Sequence, residues 1–203
     1  MDFKTVAASW CASFFLLMQR CVLLITSPYP TMRKISVDKD NIQTILIFFF
    51  IWIYFHVSDM FRKVAIDPTV VFLIFCFNFL CSVLFCYGFS RIFGQKNSVR
   101  SYTRTLAYSL LPTLVWFTMN SLLYALLPPP RQLTIAGKAF SVFFVSFSIS
   151  LLVWKIILFY LALRFSSRLS FYRLVFIMVI YVSVFLPYSV LLYTFKIFRV
   201  PFI

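Results

Sequence analysis

At 203 residues the chain has the length of one ordinary domain, yet 63% of it is hydrophobic, 12% is charged, and its 28 phenylalanines and 11 tyrosines exceed what one globular interior hides. That composition excludes a soluble fold and marks an integral membrane protein, all-α and polytopic. The net charge of +14 comes from 19 Lys and Arg against five acidic residues, all Asp, and the cations sit almost entirely between apolar runs. They read as a topology signal; the exposed basic domain with interleaved aromatics that nucleic-acid binding needs is absent.

Residues 1–40 form an N-terminal segment ahead of the spans. Within 3–26, Phe3, Ala7, Trp10, Phe14, Leu17, Cys21 and Leu24 fall at helical spacing, while Ser9, Ser13 and Arg20 gather on another face. The preferred reading is an amphipathic helix lying in the interface. A signal peptide lacks its small-x-small cleavage site, and a sixth span would tolerate Arg20 near its end by snorkelling. The next stretch, SPYPTMRKIS, leads into the membrane bundle, residues 41–203.

Five segments meet the roughly twenty apolar residues that a crossing helix needs: about 41–58, 68–90, 105–127, 139–163 and 174–195. Between the first two, HVSDMFRKVAIDP places His56 and Asp59 three apart on one helix face, with Asp67 before Pro68. Two or three ligands with no further His, Glu or Cys on that side make interfacial polar residues the better reading, so no metal site is assigned. Asp67-Pro68 reads as a helix start. In the second span Cys76, Cys81 and Cys86 recur every fifth residue and fan around the helix, which suits small apolar fillers, as do Cys11 and Cys21.

The third span carries Pro112, which removes a backbone N–H and turns the carbonyl of Tyr108 out of the helical ladder. The fifth repeats this with Pro187 and the carbonyl of Ser183. A triple proline at 128–130 separates spans three and four. In the fourth, LLVWKIILFY sets Lys155 nine residues inside Arg164, about 13 Å at 1.5 Å per residue. A charge at that depth costs about 2–3 kcal/mol by insertion scales unless it finds partners, and no carboxylate lies in the middle of a span. Two readings stay open: Lys155 turns into the bundle and caps a proline-freed carbonyl, with Trp154 or Tyr160 adding a cation–π contact, or it snorkels beside Trp154.

Orientation follows from the cations. Lys4, Arg20, Arg33, Lys34, Lys39, Arg91, Lys96, Arg100, Arg104, Arg164, Arg168 and Arg173 fall on one side, and Arg62, Lys63, Arg131, Lys138, Lys196 and Arg199 on the other. Twelve against six puts the N-terminus in the cytoplasm and the C-terminus outside. One histidine, no glutamate and three scattered glycines leave neither a catalytic constellation nor a phosphate loop, so a non-enzymatic role without cofactors is expected.

The order of parts, SPYPTMRKIS, a span pair, then FGQKNSVRSYTRTLAYSLLP, resembles the Yip family of Ypt-interacting, five-span membrane proteins, in particular its short bacterial-type members. Gly94, Tyr108 and Pro112 match that family's glycine-containing loop, tyrosine and proline at the start of the third span, and Trp154 matches a tryptophan of the fourth. The resemblance covers roughly residues 25–195 and implies five spans with a cytoplasmic N-terminus. It is compatible with a membrane scaffold or adaptor whose partners are lipids and other integral membrane proteins; the long N-terminal region through which eukaryotic members contact Rab-type GTPases has no counterpart here. The alternatives are a lipid-handling or transporter-like module that binds an anionic head group near Lys155, and a structural subunit of a larger membrane complex.

Overall fold

The computed structural model describes residues 3–61, 66–95, 98–126 and 135–195, and the regular structure in them is helical throughout. Eight helices follow in order: α1 Phe3–Thr26, α2 Pro28–Val37, α3 Ile42–Phe61, α4 Pro68–Ile92, α5 Val99–Ser109, α6 Leu111–Leu126, α7 Ile135–Ser167 and α8 Phe171–Thr194. Six segments are long and apolar enough to cross a membrane: Ala8–Thr26, Ile42–Met60, Pro68–Ile92, Val99–Leu123, Gly137–Ser167 and Phe171–Thr194. The protein is thus a multi-pass, all-helical membrane protein.

Five of these crossing segments close into a ring. α3 packs on α4, α4 on α8, α8 on α7, α7 on α6 and α6 on α3. α5 plugs one end of the ring, touching α3, α4 and α7, and α2 lies over it against α7. The expected third span, about 105–127, therefore starts earlier, at Val99, and is broken at Leu110 into two helices. The break has a local cause: Pro112 has no N–H to give to the Tyr108 carbonyl, so the chain ends α5 with a bond from Leu110 N–H to the Ala107 carbonyl (3.1 Å) and restarts with Pro112 as the second residue of α6. The triple proline at 128–130, with Arg62, Lys63, Lys96, Arg131, Lys196 and Arg199, lies outside the described residues.

The N-terminal segment is two helices rather than one. Ser27 interrupts them, and Pro28 begins α2, a position where its missing N–H is harmless. α1 runs antiparallel to α3: Arg20 bonds Gln43, and the ring of Phe14 lies 6.2 Å from that of Phe50. Its inward face takes only part of the apolar stripe that the spacing suggests, together with part of the polar face. Trp10 and Phe14 are exposed, whereas Ser13, Leu17 and Leu24 are buried and Arg20 turns toward the protein.

Buried and partly buried aromatics fill the ring away from the plug. The ring of Phe55 meets those of Phe75 and Phe117 at 5.9 and 6.1 Å, and Phe48 packs edge-on to Phe79 at 4.8 Å. At the plugged end, α4 stops in a Schellman turn. Gly94 takes φ +84°, its N–H bonds the Arg91 carbonyl (2.9 Å), and Gln95 N–H bonds the Ser90 carbonyl (3.2 Å). α7 ends with Arg168 at φ 55°, a left-handed cap held by a non-glycine residue.

Candidate functional site

The most elaborate polar site lies where α1, α3 and α5 meet. Asp38 and Asp40 follow α2, and the loop turns back through local bonds: Asp40 N–H donates to Asp38 Oδ1 (3.1 Å) and Ile42 N–H to Asp40 Oδ1 (2.8 Å). This leaves one oxygen of each carboxylate facing α1. The Arg20 guanidinium pairs with Asp38 Oδ2 at 2.6 Å and also donates to Gln43 Oε1 at 2.6 Å. Gln43 Nε2 donates to Asp40 Oδ2 (3.1 Å), which accepts a second bond from the Ser13 hydroxyl (2.7 Å). The Tyr108 hydroxyl donates to the same Gln43 oxygen from α5. Gln43 and Tyr108 are each 1% exposed, so the amide is enclosed and its oxygen and nitrogen both engaged.

The electrostatics of this loop favour its ionised form. Partial burial of Asp38 pushes its carboxyl up, but the Asp40 N–H and the Arg20 guanidinium outweigh that and hold it below the usual carboxylate range. Around the loop, cations crowd the same end. Arg33, Lys34, Lys39, Arg91, Arg100, Arg164, Arg168 and Arg173 are exposed. Arg164 donates to the Tyr160 hydroxyl (2.9 Å) and lies over the ring of Tyr29 on α2, which packs edge-on to Phe165. Ser101 donates to the Ser36 carbonyl (3.0 Å), tying α5 to α2.

Deeper in the ring, α4 and α8 share a second polar cluster. The Tyr188 hydroxyl donates to Asn78 Oδ1 (2.8 Å), and the Ser82 and Tyr181 hydroxyls stand 3.0 Å apart. A third contact joins α3 to α6, where the Tyr54 and Ser121 hydroxyls are 3.2 Å apart.

The residues singled out from sequence divide between these places. Tyr108 and Pro112 are buried beside the first site, and Tyr108 contributes its hydroxyl rather than the carbonyl that the proline argument stressed. Ser183 and Pro187 are exposed on α8, so the two proline positions are not brought together. Lys155 is partly exposed in mid-α7, Trp154 beside it packs on the core, and Gly94 serves the turn after α4. His56 Nδ1 lies 2.9 Å from the Trp52 carbonyl, and its ring lies against Trp52 at 4.3 Å. Asp67 caps α4 by accepting from Thr69 N–H (2.7 Å), and the hydrogen bonds from Thr69 hold its carboxyl low. Among the described residues no three of His, Cys, Asp and Glu gather in a metal-binding group. Cys86 is buried, Cys21, Cys76 and Cys81 are partly buried, Cys11 is exposed, and all five are free thiols.

Sequence reasoning missed Asp38, Asp40, Gln43 and Asn78. Their only signal was polarity at the mouth of, or inside, an apolar segment. Comparison with known protein families, curated proteins and solved structures gives no match.

Proposed function

We propose that the protein is a non-enzymatic membrane scaffold or adaptor that packs against other integral membrane proteins. One observation carries this reading. In the most apolar 18-residue stretch of α7 only 6% of residues are buried within the chain, and in that of α8 only 17%. Val142, Phe143, Val145, Ile149, Val153 and Ile156 point outward from a single helix. Such a surface, apolar over so many residues with Lys155 as the one charged residue between Val142 and Ile156, suits lateral contact with apolar partners better than a water-filled pathway. The Yip-like resemblance agrees with this role on the strength of Gly94, Tyr108, Pro112 and Trp154 alone.

In this reading the basic end faces the cytoplasm by the positive-inside rule. α1 is a sixth crossing helix rather than an interfacial one, because Ser13 and Arg20 are turned inward onto Asp38, Asp40 and Gln43 while Trp10 and Phe14 face outward. A helix lying at a water interface would present these faces the other way round. Both termini then lie on the side opposite the basic end.

The test is extraction of the native protein in mild detergent, followed by mass spectrometry of what stays bound. Membrane proteins in fixed stoichiometry, lost when Phe143 and Ile156 are both replaced by Ala, are expected. A chain that runs alone at native expression, with the double variant indistinguishable, defeats the adaptor reading. A cysteine placed at position 2 reports the N-terminal side separately: labelling from outside is expected, and protection there with labelling only after permeabilisation restores an interfacial α1.

A further inference from the structure

We propose that Lys155, Asn78 and Thr113, level with one another on α7, α4 and α6, bind the carboxylate of a fatty acid. The inference goes beyond the adaptor reading and stands whether or not a protein partner is found.

Two side chains start the argument. Asn78 and Thr113 are 6% and 7% exposed, yet Asn78 Nδ2 and Thr113 Oγ1 have no hydrogen-bond partner in the protein. Buried donors are rarely left this way, because each unmade bond forfeits the desolvation of its group. The orphaned hydroxyl has a local reason. Elsewhere in these helices hydroxyls return to the carbonyl one turn back, as Thr118 does to Leu114 (2.9 Å) and Ser148 to Phe144 (2.8 Å). Thr113 follows the break at Leu110, where that ladder is interrupted. Asn78 is held from its other end by the Tyr188 hydroxyl, which leaves its amide N–H groups to donate.

Contacts between helices put both groups level with the lysine. Trp116 Nε1 donates to Ser148 Oγ (3.1 Å) on the antiparallel α7, so Thr113, one turn earlier on α6, is level with Leu151. On α8, the Tyr181 ring meets Phe159 of α7 (4.7 Å). Tyr188, two turns farther along α8, therefore also falls near Leu151, and it brings Asn78 with it. Lys155 lies one turn above Leu151 on the stripe that buries Leu151, Leu158 and Ala162. Helical Cα–Cβ bonds tilt toward the helix N-terminus, which starts the Lys155 side chain toward that same level.

The ligand class follows from charge and access. This level offers an ammonium, an amide and a hydroxyl, all donors, and a two-oxygen anion accepts from all three. The surroundings are apolar: Phe75 lies one turn from Asn78, Phe117 one turn from Thr113, and the outer faces of α7 and α8 are aliphatic. A hydrated inorganic anion would have to shed its water to arrive, whereas a fatty acid reaches this depth from within the bilayer.

The test titrates the purified full-length chain in non-ionic detergent with oleate and with oleyl alcohol, and counts bound ligand by native mass spectrometry. Saturable binding of one oleate per chain is expected, with oleyl alcohol at least tenfold weaker and a hundredfold excess of acetate or chloride unable to displace it. Lys155→Met and Asn78→Leu should each weaken oleate at least tenfold, Lys155→Arg should retain it, and Lys34→Met at the basic rim should leave it unchanged. Thr113→Val, close in shape to the native residue, gives the same readout if either larger change impairs folding. Equal binding of oleyl alcohol, displacement by acetate or chloride, or unaltered oleate binding in the folded variants would overturn the proposal.

Discussion

Replacing Arg20 by Met tests whether the loop after α2 is held by α1 or merely rests against it. The substitution keeps most of the apolar stem but removes two bonds of 2.6 Å, one to Asp38 and one to Gln43. A hydrogen bond involving a charged group contributes about 1.5–3 kcal/mol, so intact burial would put the loss near 3–6 kcal/mol. The Arg20 and Asp38 side chains are 14% and 24% exposed, so water partly replaces what is lost, and we take about 2–4 kcal/mol as the expected destabilisation. The assay is reversible unfolding in mixed micelles followed by circular dichroism, with Arg33→Met, on the exposed face of α2, as a control expected to stay within about 0.5 kcal/mol. A double-mutant cycle with Asp38→Asn should give a coupling of about 1–2 kcal/mol. A single-variant loss below about 0.5 kcal/mol, or strict additivity in the cycle, would refute the view that this network fastens α1.

The depressed Asp38 carboxyl makes a pH prediction whose sign is fixed by linkage: the unfolded chain binds the proton more readily, so the contribution is complete above the unfolded value of about 3.9 and is lost as pH falls through the lower folded value. Stability of the native chain should therefore fall in that acid window by more than that of Asp38→Asn. Tyr108→Phe removes one of the two donors on the buried Gln43 oxygen and should cost about 0.5–1.5 kcal/mol in the same unfolding assay. Gly94→Ala should cost about 1–2 kcal/mol from backbone strain alone, since φ is +84° and no atom lies within 4 Å of the added Cβ; an unchanged midpoint would mean the turn relaxes. Arg168→Gly relieves the same strain at φ 55° and should be neutral or stabilising by up to about 1 kcal/mol.

The apolar runs made the crossing helices legible because length and hydropathy suffice to mark a span, and α4 and α8 lie close to where composition put them. Pro112 was readable as a discontinuity, but whether a membrane proline kinks a helix or splits it depends on what packs around it. Here the plug position of α5 against three neighbours favours the split. The inward face of α1 was not legible. Periodicity shows that two faces differ but not which neighbours each will meet; the packing buries Ser13 with Leu17 and Leu24, turns Arg20 toward Asp38 and leaves Trp10 exposed. The first polar site escaped for a related reason. Asp38, Asp40 and Gln43 look like an ordinary polar loop until Arg20, some twenty residues earlier, is folded back beside them. Lys155, by contrast, stood out because any charge so deep demands an account, whereas Asn78 and Thr113 became informative only once their neighbours were known.

α3 and α7 differ greatly in length, and the difference acts on the bilayer. With 20 residues α3 measures about 30 Å, the thickness of a typical hydrocarbon core, so a full crossing leaves it little room to tilt. α7, with 33 residues, measures about 50 Å. What the core must match is the apolar stretch between Lys138 and Arg164, residues 139–163, about 38 Å long, and a tilt near 37°, inside the usual range of up to about 40°, fits it to a core of about 30 Å. Lipids on the flank of α3 would thus meet a helix near the membrane normal, and those on the flank of α7 one that leans. A thinner bilayer would demand still more tilt of α7, and a thicker one would leave α3 short, so the two helices would respond to bilayer thickness in opposite ways.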